Sequence, residues 1–182
     1  IAIASVITAY QYFRFSDRRE KWEAPLEWST LAWGLLWWSG AILTEAEAAT
    51  TAKTLVPVLA GAFAGTSVVL AGIARWRSWP ALAYFCLPVL PILTLLAVGA
   101  FLFDGQPGPW SNGGWAAWTG AMFASFLVLW LLDPVWRTGI ALTWQAGATW
   151  LLTFLLTWAA AAGARLAVPE SATWSHVMWA AV

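Results

Sequence analysis

Charge is what this sequence has least of. Nine basic and nine acidic residues in 182 make it 10% charged and 61% apolar. A soluble domain runs roughly 25% charged and about 45–50% apolar. Eighteen charges cannot coat a water-soluble globule of this size, so the apolar surplus must face a solvent that is itself apolar. Net charge is zero, which removes any bulk attraction to nucleic acid. The single cysteine, Cys86, excludes an intramolecular disulfide and a cysteine-based zinc cluster. The single histidine, His176, excludes a two-histidine metal site within the chain. No P-loop, GxSxG, HExxH or paired-carboxylate pattern is present. No cofactor or metal is expected, and no nucleic-acid partner.

What is abundant is long apolar runs. A bilayer core of about 30 Å needs roughly 20 apolar residues in an α-helix. Five runs meet that length, 25–43, 55–74, 80–103, 115–132 and 138–162, with partial spans at 1–13 and 173–182. Inside lipid every backbone N–H and C=O must bond within the span, which leaves helix or closed barrel. A barrel strand alternates apolar and polar residues, whereas Thr54 to Ala74 is continuously apolar. The expected fold is therefore all-α, a polytopic transmembrane helix bundle forming one region over 1–182. Ile1 to Phe13 has neither the basic leader nor the cleavage site of a signal peptide. The membrane-like ends read as those of an excised fragment of a longer protein. The expected partners are the bilayer, the remaining helices of that parent and, as an open alternative, further copies of the chain.

Local punctuation supports the spans. Thr44-Glu45-Ala46-Glu47 reads as a capping box starting a helix that continues past Pro57. Pro25 sits at a first-turn position. Asp133-Pro134 reads as N-cap and N1 of the following span. The segment 104–109 and the stretch Pro169-Glu170-Ser171 read as loops. Basic residues divide unevenly between alternate loops. Arg14, Arg18, Arg19, Lys21, Arg75, Arg77 and Arg137 fall in 14–24, 75–79 and 133–137, against Lys53 and Arg165 in the other set. The positive-inside rule makes the first set cytoplasmic. Seventeen tryptophans are present. Trp22, Trp28, Trp76, Trp79, Trp110, Trp115, Trp136 and Trp174 fall at predicted span ends and read as an interfacial belt. Trp33, Trp37, Trp38, Trp130 and Trp150 lie deeper.

Several constellations are candidates for function. Gln145, Thr149, Thr153 and Thr157 recur every four residues and share one helix face. They read either as helix packing or as one wall of a polar path. Trp150, Phe154 and Trp158 form a bulky ridge beside them. Gly61 and Gly65 make a GxxxG, a site for close approach of another helix. Pro88 and Pro91 should bend span 80–103, as an ordinary kink or as the discontinuity from which transporters build binding sites. Glu27 and His176 are weaker candidates. Glu27 stands in a first turn, where the helix dipole favours a carboxylate, and His176 has no acid or base at matching depth for a proton relay.

Leu26-Glu27-Trp28, Trp33-Gly34-Leu35-Leu36-Trp37-Trp38, and Trp144 through Trp158 followed by Trp174, His176 and Trp179 resemble a bacterial family of polytopic membrane proteins, the domain of unknown function 2339 family. The resemblance lies in texture and span spacing over most of the chain. It implies a long array of helices in the bacterial inner membrane and carries over no catalytic or binding residue. With almost no ionisable group inside the spans, the expected function is a non-enzymatic module. It would be structural or part of a transport path for a neutral lipid-like or sugar-like substrate. The alternative is a membrane-embedded envelope enzyme of glycosyl- or acyl-transfer type, whose only outer-face acids would be Glu45, Glu47, Asp104 and Glu170.

Overall fold

Runs that are apolar on every side give the backbone no partner but itself, and the chain folds accordingly. In the computed structural model, residues 1–15, 23–102, 108–136 and 138–167 are described, with the backbone alone at 24 and 165–167. They are helical with no strand among the described residues. The helices are α1 (Ala2–Arg14), α2 (Ala24–Ala49), α3 (Ala52–Arg77), α4 (Pro80–Tyr84), α5 (Val89–Leu102), α6 (Gly114–Leu132) and α7 (Thr138–Ala167), with a 3-10 turn at Ser111–Gly113. Four stretches are long and apolar enough to cross a membrane: Ala52–Arg77, Pro80–Leu102, Ser111–Leu132 and Thr138–Ala164. The expected fifth, in α2, has the length but is not among them; four tryptophans, Glu27 and several serine, threonine and glycine residues dilute its apolar run. The expected partial span at 173–182 lies outside the described residues.

Two expected helix starts are corrected. Thr44 is not an N-cap. Glu45 to Ala49 continue α2, and the Thr44 hydroxyl donates back to the Gly40 and Ala41 carbonyls, 3.1 Å each. Alanine and glutamate are good helix formers, so the helix runs on until two consecutive threonines. The capping box is Thr51 with Thr54: the Thr51 N–H donates to Thr54 Oγ1 at 3.2 Å while the Thr51 side chain accepts from the N3 backbone. Asp133 likewise ends α6 instead of starting α7. It keeps helical angles, and its N–H donates to the Leu129 carbonyl at 2.8 Å. Pro25 does stand in the first turn of α2.

α3 is the hub, packed chiefly on α6 and also touching α2, α4 and α5; α1 packs on α2, and α7 on α5 and α6. Its buried face carries a row of small side chains, Ala60, Ala64, Ser67, Ala71 and Ala74, beside the larger Leu59 and Phe63. Small residues let backbones approach, which matters where lipid is as apolar as the core and only contact and hydrogen bonding favour association. The α1–α2 crossing is equally close: a Cβ on Gly34 would lie 2.8 Å from Ser5 Cβ. Before α6 the chain turns through Asn112 and Gly113 at positive φ, and a Cβ on Gly114 would run into the Pro109 carbonyl oxygen.

Candidate functional site

The span from Pro80 to Leu102 is interrupted. α4 stops at Tyr84, and α5 begins only at Val89. Proline supplies no N–H and its ring presses on the carbonyl four residues back, which for Pro88 is Tyr84 and for Pro91 is Leu87. The chain between tightens into i→i−3 bonds, from the Cys86, Leu87 and Val89 N–H groups to the Ala83, Tyr84 and Cys86 carbonyls at 3.1–3.3 Å. Pro88 and Pro91 thus stand at a break between two helices. A buried indole holds it: Trp136 Nε1–H donates to the Ala83 carbonyl at 3.3 Å.

Beside this break lies a groove of about 760 Å³ between α5 and α7. One wall is Leu87, Leu90, Pro91, Thr94 and Leu95, and the other includes Ile140, Thr143, Trp144, Gly147 and Trp150. Gly147 lets the helices close at the groove floor, where a Cβ would meet Leu90 Cδ2 at 2.8 Å. Trp144 is fixed twice, by its N–H donating to the Ser125 carbonyl at 3.1 Å and by its ring lying 5.2 Å from that of Trp136. Thr94 and Thr143 are the only side chains on these walls with hydroxyls, and Thr143 already donates to the Gly139 carbonyl at 2.8 Å. No charged side chain lines the groove. Its lining is almost wholly apolar, suited to contact more than to hydrogen bonding.

The Gln145/Thr149/Thr153/Thr157 stripe lies on another face of α7. Gln145, Thr149 and Thr153 are exposed and only Thr157 is buried. Each threonine hydroxyl donates to the carbonyl four residues back, at 2.8–2.9 Å. Gln145 borders a second groove, about 480 Å³, between α6 and α7 with Trp130 and Asp133. Of the ridge beside the stripe, Phe154 and Trp158 turn inward, meeting Phe101 of α5 edge-on at 5.8 and 5.7 Å, while Trp150 is exposed. Gly61 and Gly65 point outward, and a Cβ on either would meet nothing within 4 Å. The close-packing face of α3 is one residue round, at Ala60 and Ala64.

Glu27 is buried, 5% exposed, and accepts a 2.7 Å hydrogen bond from Trp79 Nε1–H. Trp79 is 1% exposed, stacked on Phe13 (5.5 Å, 20°) and edge-on to Tyr10 (5.5 Å, 61°). The pair ties α1, α2 and the α3–α4 turn together, which makes Glu27 an architectural acceptor. Trp79 and Trp136 are therefore not the lipid-headgroup belt expected of them. Both are core residues, because each has a carbonyl or carboxylate within reach of its N–H. Of the others placed in that belt, Trp28, Trp76 and Trp115 are exposed. The deeper Trp33, Trp37, Trp38, Trp130 and Trp150 are exposed as well. His176, Asp104 and Glu170 lie outside the described residues; Glu45 and Glu47 are exposed at the end of α2. Among the described residues no three of His, Cys, Asp or Glu gather as a metal site.

Sequence reasoning found the prolines but not the groove they open, nor the indole ties through Trp79, Trp136 and Trp144. The signal for the groove was Gly147, facing the break from α7. The described residues, helical and with four stretches of spanning length and apolarity, are compatible with a multi-pass membrane protein. Compared with protein families, curated proteins and solved structures, the chain matches none.

Proposed function

We propose that this chain is a non-enzymatic, multi-pass module of the bacterial inner membrane. It forms part of a path for a neutral, lipid-like molecule whose apolar chain lies in the groove between α5 and α7. The observation that carries this reading is the groove itself, of a size usual for ligand sites and opened by an interrupted span. Interrupted helices recur at transporter binding sites. Its nearly hydroxyl-free, uncharged lining favours a lipid-like molecule over a sugar, which would need several hydrogen-bonding partners. The dearth of ionisable groups argues against ion coupling. In this reading α2 is a fifth span, since tryptophan scores as near-neutral on hydropathy scales yet is at home at membrane interfaces. The loops 14–24, 75–79 and 133–137 face the cytoplasm, as the arginine bias favours. The inner-membrane placement rests on the same bias and on the resemblance to the domain of unknown function 2339 family.

The test is photolabelling in lipid nanodiscs with a diacylglycerol carrying a diazirine on one acyl chain. Labelled peptides should concentrate at 87–95 and 139–150. Thr94→Trp, which fills the groove, should remove most of that label and slow leaflet-to-leaflet transfer of a neutral fluorescent lipid in liposomes. Label spread evenly over the outward faces of α3 and α6 would refute the reading.

A further inference from the structure

A second site stands where the C-terminal end of α3 meets that of α1. We infer that Arg14 and Arg77 together hold the phosphate of an anionic phospholipid headgroup. The inference rests on the membrane reading but not on the neutral-lipid groove, which lies between other helices. Three observations carry it.

The first is preorganisation. The Arg77 guanidinium sits over the Trp76 ring at 4.1 Å and over the Tyr10 ring of α1 at 5.4 Å. A guanidinium stacked on a ring keeps its N–H groups free in its own plane, in the fork that matches two phosphate oxygens. Arg14 lies one turn beyond Tyr10 on α1, on the same helix face. It follows Phe13, which stacks on Trp79 just past the end of α3, and its guanidinium lies 5.8 Å over the Phe15 ring.

The second is an unmet charge. Neither Arg14 nor Arg77 has a carboxylate partner among the described residues. The acid built into this corner, Glu27, is buried beneath it and accepts from Trp79. Arg77, held on the Tyr10 ring, and Arg14, one turn beyond that ring on α1, leave this corner cationic.

The third is position. The corner is at the ends of the spans, where headgroups lie, and Trp76 there is 75% exposed, the placement of an interfacial anchor. The arginine-rich loops are the ones read as cytoplasmic, and the cytoplasmic leaflet carries the negative surface potential. A phosphate fixed to a lipid is thereby presented at the right depth. Arg75 is the internal control. Two residues from Arg77 on the helix, it points to the other side of α3, and no ring holds it among the contacts at this corner.

The experiment reconstitutes the whole chain in nanodiscs of phosphatidylcholine with and without phosphatidylglycerol, and measures retained anionic lipid by native mass spectrometry after detergent release. Wild type should retain phosphatidylglycerol selectively. Arg77→Gln should lower retention about fivefold, and Arg14→Gln with Arg77→Gln about fivefold again. Arg75→Gln should change it less than about twofold. If Arg75→Gln matches Arg77→Gln, only a diffuse surface field exists and the site is refuted. Displacement of the lipid by millimolar inorganic phosphate would likewise overturn the headgroup assignment in favour of a soluble phosphate. Far-UV circular dichroism checks that each variant is folded, with Arg77→Gln alone deciding should the double variant unfold. A chain that fails to enter nanodiscs sinks the membrane reading. A chain that enters and shows no lipid preference sinks this inference alone, leaving the groove to the photolabelling test.

Discussion

Replacing Trp79 by Phe removes one N–H and leaves most of the ring stack on Phe13 and Tyr10. Glu27 then loses a 2.7 Å donor in a place where the carboxylate is 5% exposed and the indole 1%. Hydrogen bonds to a charged group contribute about 1.5–3 kcal/mol, and burial at this level leaves little water to replace the donor. Glu27→Leu makes the reverse defect, a buried indole N–H with no acceptor, at a cost of about 1–3 kcal/mol. Replacing both partners by apolar groups is close to neutral for their mutual term. The double variant should therefore be less unstable than the sum of the singles by about 1.5–3 kcal/mol, the coupling energy of the bond. Any other interaction of Glu27 occurs on both sides of the cycle and cancels. The assay is equilibrium unfolding in mixed micelles of increasing dodecyl sulfate fraction, followed by far-UV circular dichroism. Seventeen tryptophans would blur a fluorescence signal. A coupling below about 0.5 kcal/mol, the ordinary scatter of non-interacting sites, would refute the claim that this bond ties α2 to the α3–α4 turn.

Three further outcomes are expected. Pro88→Ala with Pro91→Ala restores two backbone donors, so α4 and α5 should merge and amide exchange at 85–91 should slow. Unchanged exchange would show that Trp136 on the Ala83 carbonyl, and not the prolines, sets the break. Gly147→Leu should destabilise by about 1–3 kcal/mol through overpacking against Leu90, whereas Gly61→Leu should stay within about 0.5 kcal/mol in the same micelle titration. A larger cost at Gly61 would show that its face is covered. Cys86 is fully buried, with Sγ 3.8 Å from the Ser67 and Leu82 carbonyls. A maleimide should label it only upon unfolding, and rapid labelling of the folded chain would contradict this packing.

The helices were legible because length and continuous apolarity are direct consequences of a solvent that cannot bond backbone. Their ends were less so. Thr44-Glu45-Ala46-Glu47 has the residues of a capping box, yet a threonine hydroxyl can equally turn back on its own helix, as Thr44 does on Gly40. What decides is whether the preceding residues still favour helix, and from Ala41 through Ala49 they do. The same ambiguity governs Asp133, whose side-chain type fits an N-cap while its backbone closes α6. The break at Tyr84 to Val89 was readable from Pro88 and Pro91 because proline acts through its own covalent structure. The groove was not, because it needs α7 placed against α5, and no single-residue rule supplies that.

Which side of each helix faces inward was the least legible property, and the tryptophans show why. In water, periodic polarity marks the exposed side of a helix. In lipid both sides are apolar and the mark disappears. Depth along the span then says nothing about facing: Trp79 and Trp136, near span ends, are core residues, while Trp150, well inside α7, is 54% exposed. What distinguishes them is the indole N–H, which needs an acceptor when buried. Trp79 has Glu27, Trp136 has the carbonyl of Ala83 ahead of the helix break, and Trp144 has that of Ser125. The inward side is also marked by small residues, and here the distinction is one position wide. Gly61 and Gly65 match the familiar motif, but Ala60 and Ala64, rotated about 100° around the same helix, are the ones that are buried. A rule that weighed acceptors for each indole and alanine as heavily as glycine would have oriented α3 and α7 correctly from the sequence. It would also have turned the Thr149–Thr153 stripe outward, where its hydroxyls are already satisfied by their own helix.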